Sequence, residues 1–179
     1  MIQRKSLPGA CAIVAAFACH ALPVHAAAQV ASGACEAAPY HLLDFWIGDW
    51  DTFDIDKLDG PSIARAHVDA IAQGCALHEL YEQEDGLIGD SILSYDPVRK
   101  AWQQTWVTNR GSIMAIAGEF KDGMLTLEGE MHLGDGRSVI QRITWKRQDE
   151  GVRESALLSK DGGKTWTPAF GVLFRKHRD

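Results

Sequence analysis

Glu79 and Glu154 are the residues with which this chain could move a proton, since each falls in the middle of a stretch that alternates as a β-strand. Facing one cavity, they would form an acid/base pair, with either as general base on a small substrate. Glu79 shares a strand face with Tyr81, and Gln104 lies between Trp102 and Trp106 on one face of a later strand. Arg142 is also mid-strand. Turned inward, it would need a partner such as Glu79, Glu154 or a ligand carboxylate. The plainer reading of all these polar residues is the wet outer face of an antiparallel sheet. Other chemistry lacks its residues: there is no Gly-x-Ser-x-Gly segment, no cysteine beside an evident base and no glycine-rich phosphate loop. The histidines His41, His67, His78 and His132 show no metal-ligand spacing, so no metal is expected. His177 could face a haem, but a surface histidine in a basic tail is the simpler account, and no other cofactor is indicated.

The tryptophans give these polar groups company. Trp46 with Trp50, and Trp102 with Trp106, are spaced four apart, so on strands each pair shares a face. Such faces either fill a core, with Trp145 and Trp166, or offer stacking area to a ligand. The candidate ligand-binding set is therefore Trp46, Trp50, Glu79, Tyr81, Trp102, Gln104, Trp106 and Arg142, with Glu79 and Glu154 as the catalytic candidates.

Strands must position these side chains. The segment Leu43 to Phe53 is the first with strong order, and a short turn or helix at His41 to Asp44 could plug one end of a barrel. Gly48 interrupts the first strand, expected from Phe45 to Ile55, and implies a bulge, a bend or a close backbone approach. From there to Lys176, short alternating runs are separated by Asp-Gly, Asn-x-Gly and similar hairpin signals. No apolar stripe of helical period lasts beyond two turns, and no βαβ alternation occurs. The fold class predicted is all-β: one antiparallel meander of about nine or ten strands, closed as a calycin-like barrel because closure removes exposed edges.

The N-terminus reads as a secretory signal peptide over 1–28, with Arg4 and Lys5 before an apolar run too short to span a membrane. A flexible lead-in over 29–39 and a barrel domain over 40–179 follow. Loss of the leader removes Arg4 and Lys5 and no acid, so the formal charge moves from −6 to −8. That acidity disfavours nucleic acid and anionic membrane as partners. The remaining cysteines, Cys35 and Cys75, either pair in an oxidising compartment or stay as separate buried thiols.

Ser159-Lys160-Asp161-Gly162-Gly163-Lys164-Thr165-Trp166 fits the Asp-box pattern, which here reads as a stabilised hairpin turn rather than a sugar site. The segments Asp44 to Asp51, Gly74 to Glu79, Trp102 to Val107, Arg142 to Trp145 and Asp161 to Trp166 resemble a bacterial family of uncharacterised exported proteins that open on Phe-Trp-x-Gly-x-Trp. The resemblance spans nearly all of the chain after the leader and carries over no catalytic residue. More distantly, Gly48-Asp49-Trp50 is similar to the first strand of lipocalin-type (calycin) barrels, including haem-binding ones; Thr52 and Asp54 stand where the haem-binding form has glycines. The leading expectation is a periplasmic or secreted barrel holding a small apolar or aromatic molecule in its lumen. The alternatives are an enzyme using the same cavity and an envelope protein-interaction domain with its aromatic face outside.

Overall fold

A computed structural model of the chain describes Gly33 and residues 35–178; the predicted leader lies outside the described residues. Ten strands follow in order: β1 (Gly48–Asp54), β2 (Ala64–Ile71), β3 (Ala76–Gln83), β4 (Ile88–Asp96), β5 (Ala101–Thr108), β6 (Ile113–Lys121), β7 (Met124–His132), β8 (Ser138–Gln148), β9 (Gly151–Ser159) and β10 (Thr167–Lys176). Each pairs antiparallel with its neighbours in sequence, and β1 pairs with β10, so the meander closes into a barrel. Alternation decides which side of each strand faces in. In β2, Ala64, Ala66 and Val68 are buried while Arg65, His67 and Asp69 are exposed. In β8, Val139, Gln141, Ile143 and Trp145 are buried, which turns the intervening residues outward. The hairpin signals act where expected: Asp122 and Gly123, at φ of +51° and +75°, make the two-residue turn joining β6 to β7.

The first strand begins at Gly48 and not at Phe45, because Asp44–Trp46 coils into a short 3-10 turn. Gly48 adopts φ +129°, and the Lys176 side chain crosses directly over it, where a Cβ would collide with the ammonium. Lys176 Nζ donates to the Ile47 carbonyl at 2.6 Å and stands 3.9 Å from the Trp50 ring centroid. This close approach of a cation to backbone and indole is what the glycine makes room for.

The 3-10 turns at Ala38–His41 and Asp44–Trp46 plug one end of the barrel with Leu43 and Trp46, each 1% exposed. Trp46 packs against Trp145 and Phe174 at ring-centroid distances of 6.1 and 5.6 Å, and its carbonyl accepts from Trp50 Nε1 at 2.8 Å. With Trp102, Leu93, Leu125 and Leu127, these residues fill the plugged half of the barrel. Cys35 and Cys75 are bonded, with Cα atoms 5.1 Å apart, which ties the segment leading into the plug to the β2–β3 turn. The same turn holds Ala72 and Gln73 at positive φ, a conformation that neither side chain favours.

The Asp161 turn between β9 and β10 is built as its pattern implies. Asp161 accepts the N–H groups of Lys164 and Thr165 at 3.1 and 2.9 Å and the Thr165 hydroxyl at 2.6 Å, while Trp166 Nε1 donates to the Gly163 carbonyl. The Thr165 hydroxyl bond leads the contacts that hold the Asp161 carboxyl down at about 2. A lowered folded pKa means the charge supports the turn fully above 3.8 and stops doing so as pH falls through about 2. In the Asp161→Ala variant, amide exchange at Lys164 and Thr165 is expected to speed up at neutral pH, read by hydrogen exchange, while the rest of the barrel keeps its protection. Unchanged exchange at both amides would show that the glycines alone define the turn.

Candidate functional site

The half of the barrel opposite the plug is hollow. A cavity of about 840 Å³ opens among the turns β3–β4, β5–β6 and β7–β8. Its outer wall is apolar, with Ile63, Leu87, Trp106, Met114, Met131 and Phe170 among the lining residues. Deeper, four polar side chains from four strands converge on it: Glu79 of β3, Gln104 of β5, Gln141 of β8 and Glu154 of β9. Tyr81 and Trp106 stand two residues nearer the mouth than Glu79 and Gln104, and their rings meet edge-on at 6.1 Å.

The two carboxyls sit in a medium that disfavours charge. Glu79 is 4% exposed, and its one protein partner is the Ser91 hydroxyl, which donates to Oε2 at 3.1 Å. Burial pushes the Glu79 carboxyl up to about 7, with the Ser91 hydrogen bond opposing the rise. Glu154 is raised well above the usual carboxylate range, first by burial and then by the charge of Glu79; the Trp145 indole, its cross-strand neighbour, weakly opposes this. The Trp145 Nε1 completes no hydrogen bond within the protein. Because the two carboxyls repel, the loss of a proton from one makes loss from the other harder. The Tyr81 phenol is likewise raised, by burial first and then by the charges of Glu154, Glu79 and Asp85. Among the described residues no arginine or lysine forms an ion pair with Glu79 or Glu154; the Arg110 guanidinium at the mouth is held by Asp85 at 3.0 Å. Gln104 and Gln141, 4% and 7% exposed, each carry an amide oxygen that no protein donor reaches.

Of the residues expected at a ligand site, Glu79, Tyr81, Gln104 and Trp106 come together here, and Glu154 joins them. Trp46, Trp50 and Trp102 do not line this cavity; they lie in the filled half beneath it, each 1–2% exposed. Arg142 is a correction. Its neighbours Gln141 and Ile143 take the inward positions of β8, so Arg142 faces outward, donating to Glu128 Oε1 at 2.7 Å and lying 3.9 Å over the Trp166 ring. His177 is also outside the wall, bonded to Asp51 at 2.8 Å and to Arg65 at 3.0 Å, which takes it away from any lumenal haem. Gln141 was missed, although a glutamine in register with Val139, Ile143 and Trp145 marks a polar group on a buried face.

A second hollow of about 840 Å³ lies at the plugged end, bordered by Phe53, Arg147, Asp149, Glu150, Arg175 and Arg178. Its charges are of both signs, and Arg175 is already engaged by Glu150, by the Leu58 carbonyl and by the Phe53 ring. Of the two hollows the lumen is the better site, since it joins a sheltered apolar wall to buried polar groups without protein partners. No protein-family model matches the chain, and no curated protein matches it.

Proposed function

We propose that this protein is an exported, lipocalin-like barrel that takes a small apolar or aromatic molecule into the open half of its lumen. The observation that carries the reading is the cavity itself: about 840 Å³, walled by Trp106, Tyr81 and aliphatic side chains and closed below by the tryptophan plug. That volume falls in the range of roughly 300–1,000 Å³ common to ligand pockets. Export is supported by the leader-like N-terminal sequence and by the Cys35–Cys75 bond, which suits an oxidising compartment. N-phenyl-1-naphthylamine, a neutral apolar dye, is expected to bind saturably at one site, with its emission enhanced. The Trp106→Ala variant, folded by circular dichroism, is expected to bind the dye on the order of tenfold more weakly. No saturable binding, together with no small molecule retained in native mass spectra of the protein from its producing cells, would count against the proposal.

A second reading, an enzyme in the same cavity, is favoured by one observation, the upward shift of both lumenal carboxyls. A carboxyl titrating near 7 suits a general acid or base. Recovery of the retained molecule unchanged by the native protein supports binding alone. Conversion that Glu79→Gln abolishes supports catalysis.

A further inference from the structure

We propose that the ligand's buried end is a cation, a protonated amine or similar ammonium group, received between Glu79 and Glu154. This deepens the lumen-binding reading and rests on it. The polar floor is rich in acceptors and holds no cation to balance its two carboxyls. Two carboxyl groups from β3 and β9 face the cavity; Ser91 donates to Glu79, and the neutral Trp145 indole is the polar neighbour of Glu154, so among the described residues neither carboxyl has a cationic partner. Gln104 and Gln141 line the same cavity with unpartnered carbonyl oxygens. An amide can rotate to present its oxygen, so both can accept from a ligand N–H.

Each other titratable or charged group facing this space fails to supply a counter-charge. Tyr81 of β3 is neutral, Arg110 of the β5–β6 turn is held at the rim by Asp85, and His132 of β7 is bonded to Ser138 at the mouth. Two carboxylates with no cation between them are costly in a low-dielectric lumen, and a bound ammonium lowers that cost while satisfying several acceptors at once. An ammonium has three donors and no acceptor, the inverse of this floor. The apolar wall and the Tyr81–Trp106 pair then suit a flat or aliphatic body attached to that head.

Three probes of one shape separate the possibilities: 1-naphthylmethylamine, 1-naphthylmethanol and 1-naphthoate, titrated by calorimetry into the full exported protein. At pH 8 the amine is expected to bind about tenfold tighter than the alcohol, as a charge-assisted hydrogen bond against a neutral one implies, with the naphthoate weakest. The amine's advantage is expected to shrink toward pH 5, as Glu79 and Glu154 gain protons, and to shrink at pH 8 in Glu79→Gln and in Glu154→Gln. Both substitutions keep side-chain volume and remove charge, and circular dichroism confirms that they fold. Equal or tighter binding of the alcohol or the naphthoate overturns the cation inference and leaves the lumen reading standing. Failure of all three probes overturns the cation inference, and overturns the lumen reading as well where N-phenyl-1-naphthylamine also fails to bind and no molecule is retained.

Discussion

Removing both lumenal carboxyls is expected to make the barrel more stable at pH 8, not less. The Glu79→Gln/Glu154→Gln variant should gain roughly 3 kcal/mol from Glu79 alone, the free-energy equivalent of a rise from 4.5 to about 7, with a further gain from Glu154. The sign follows from the direction of the shift. A carboxyl whose folded pKa is raised holds its proton better in the barrel than in the unfolded chain. Its contribution is whole below about 4.5 and is lost as pH rises to about 7. Glu154, raised by burial and by its partner's charge, acts in the same direction. Denaturant titrations of the native protein should therefore show stability falling between pH 5 and pH 8, and those of the variant should fall less, keeping only the slope of groups such as His67, which its hydrogen bond with Asp49 holds above the usual value. Glutamine retains an acceptor for the Ser91 hydroxyl, so the substitution orphans no donor. A native profile already flat across neutral pH would mean that both carboxyls are effectively in water, and it would remove the electrostatic basis of the cation site. If the variant is stabilised and loses the amine preference, the charges are kept at a cost to stability, the usual relation at a binding site.

How far the sequence exposed this arrangement depended on the period of two. Alternation and glycine-bearing turns pointed to one meander of about nine or ten strands, and ten strands close the barrel. Glu79 with Tyr81, and Gln104 with Trp106, were each legible as sharing a strand face for the same reason, and the barrel brings the two faces to one cavity. Arg142 was misplaced because adjacent residues of β8 face opposite ways, and the inward set is fixed by Val139, Ile143 and Trp145 rather than by polarity. Gln141 was the informative residue on that strand. The division of the tryptophans was not legible at all. Trp102 and Trp106 share a face, but Trp102 lies toward the plug, beside Tyr95, while Trp106 lies toward the mouth, beside Tyr81. Depth along the barrel axis depends on the register of all the strands and on where Leu43 and Trp46 insert, and no local pattern encodes either.

Loss of the Cys35–Cys75 bond is expected to destabilise the protein by about 4 kcal/mol, the chain-entropy value for a closed loop of this size; the two residues are 40 apart in sequence. The effect should be global because of what the loop contains. Between the two cysteines lie the plug residues Leu43 and Trp46, all of β1 and all of β2. β1 is the strand that completes the barrel, through its register with β10 from Trp50↔Lys176 to Asp54↔Val172. Without the bond the unfolded chain gains freedom over the very segment that must order to form both plug and seam. The Cys35→Ser/Cys75→Ser variant should melt on the order of 10 °C lower than the oxidised protein, and reductant should lower the native midpoint while leaving the variant's unchanged. Below its midpoint the variant should still bind N-phenyl-1-naphthylamine, since the cavity opens at the end opposite the bond. Equal midpoints would show that the Trp46 cluster with Trp145 and Phe174 holds the plug without help. Lost dye binding in a folded variant would show instead that the plug and the mouth are coupled through the packed half between them.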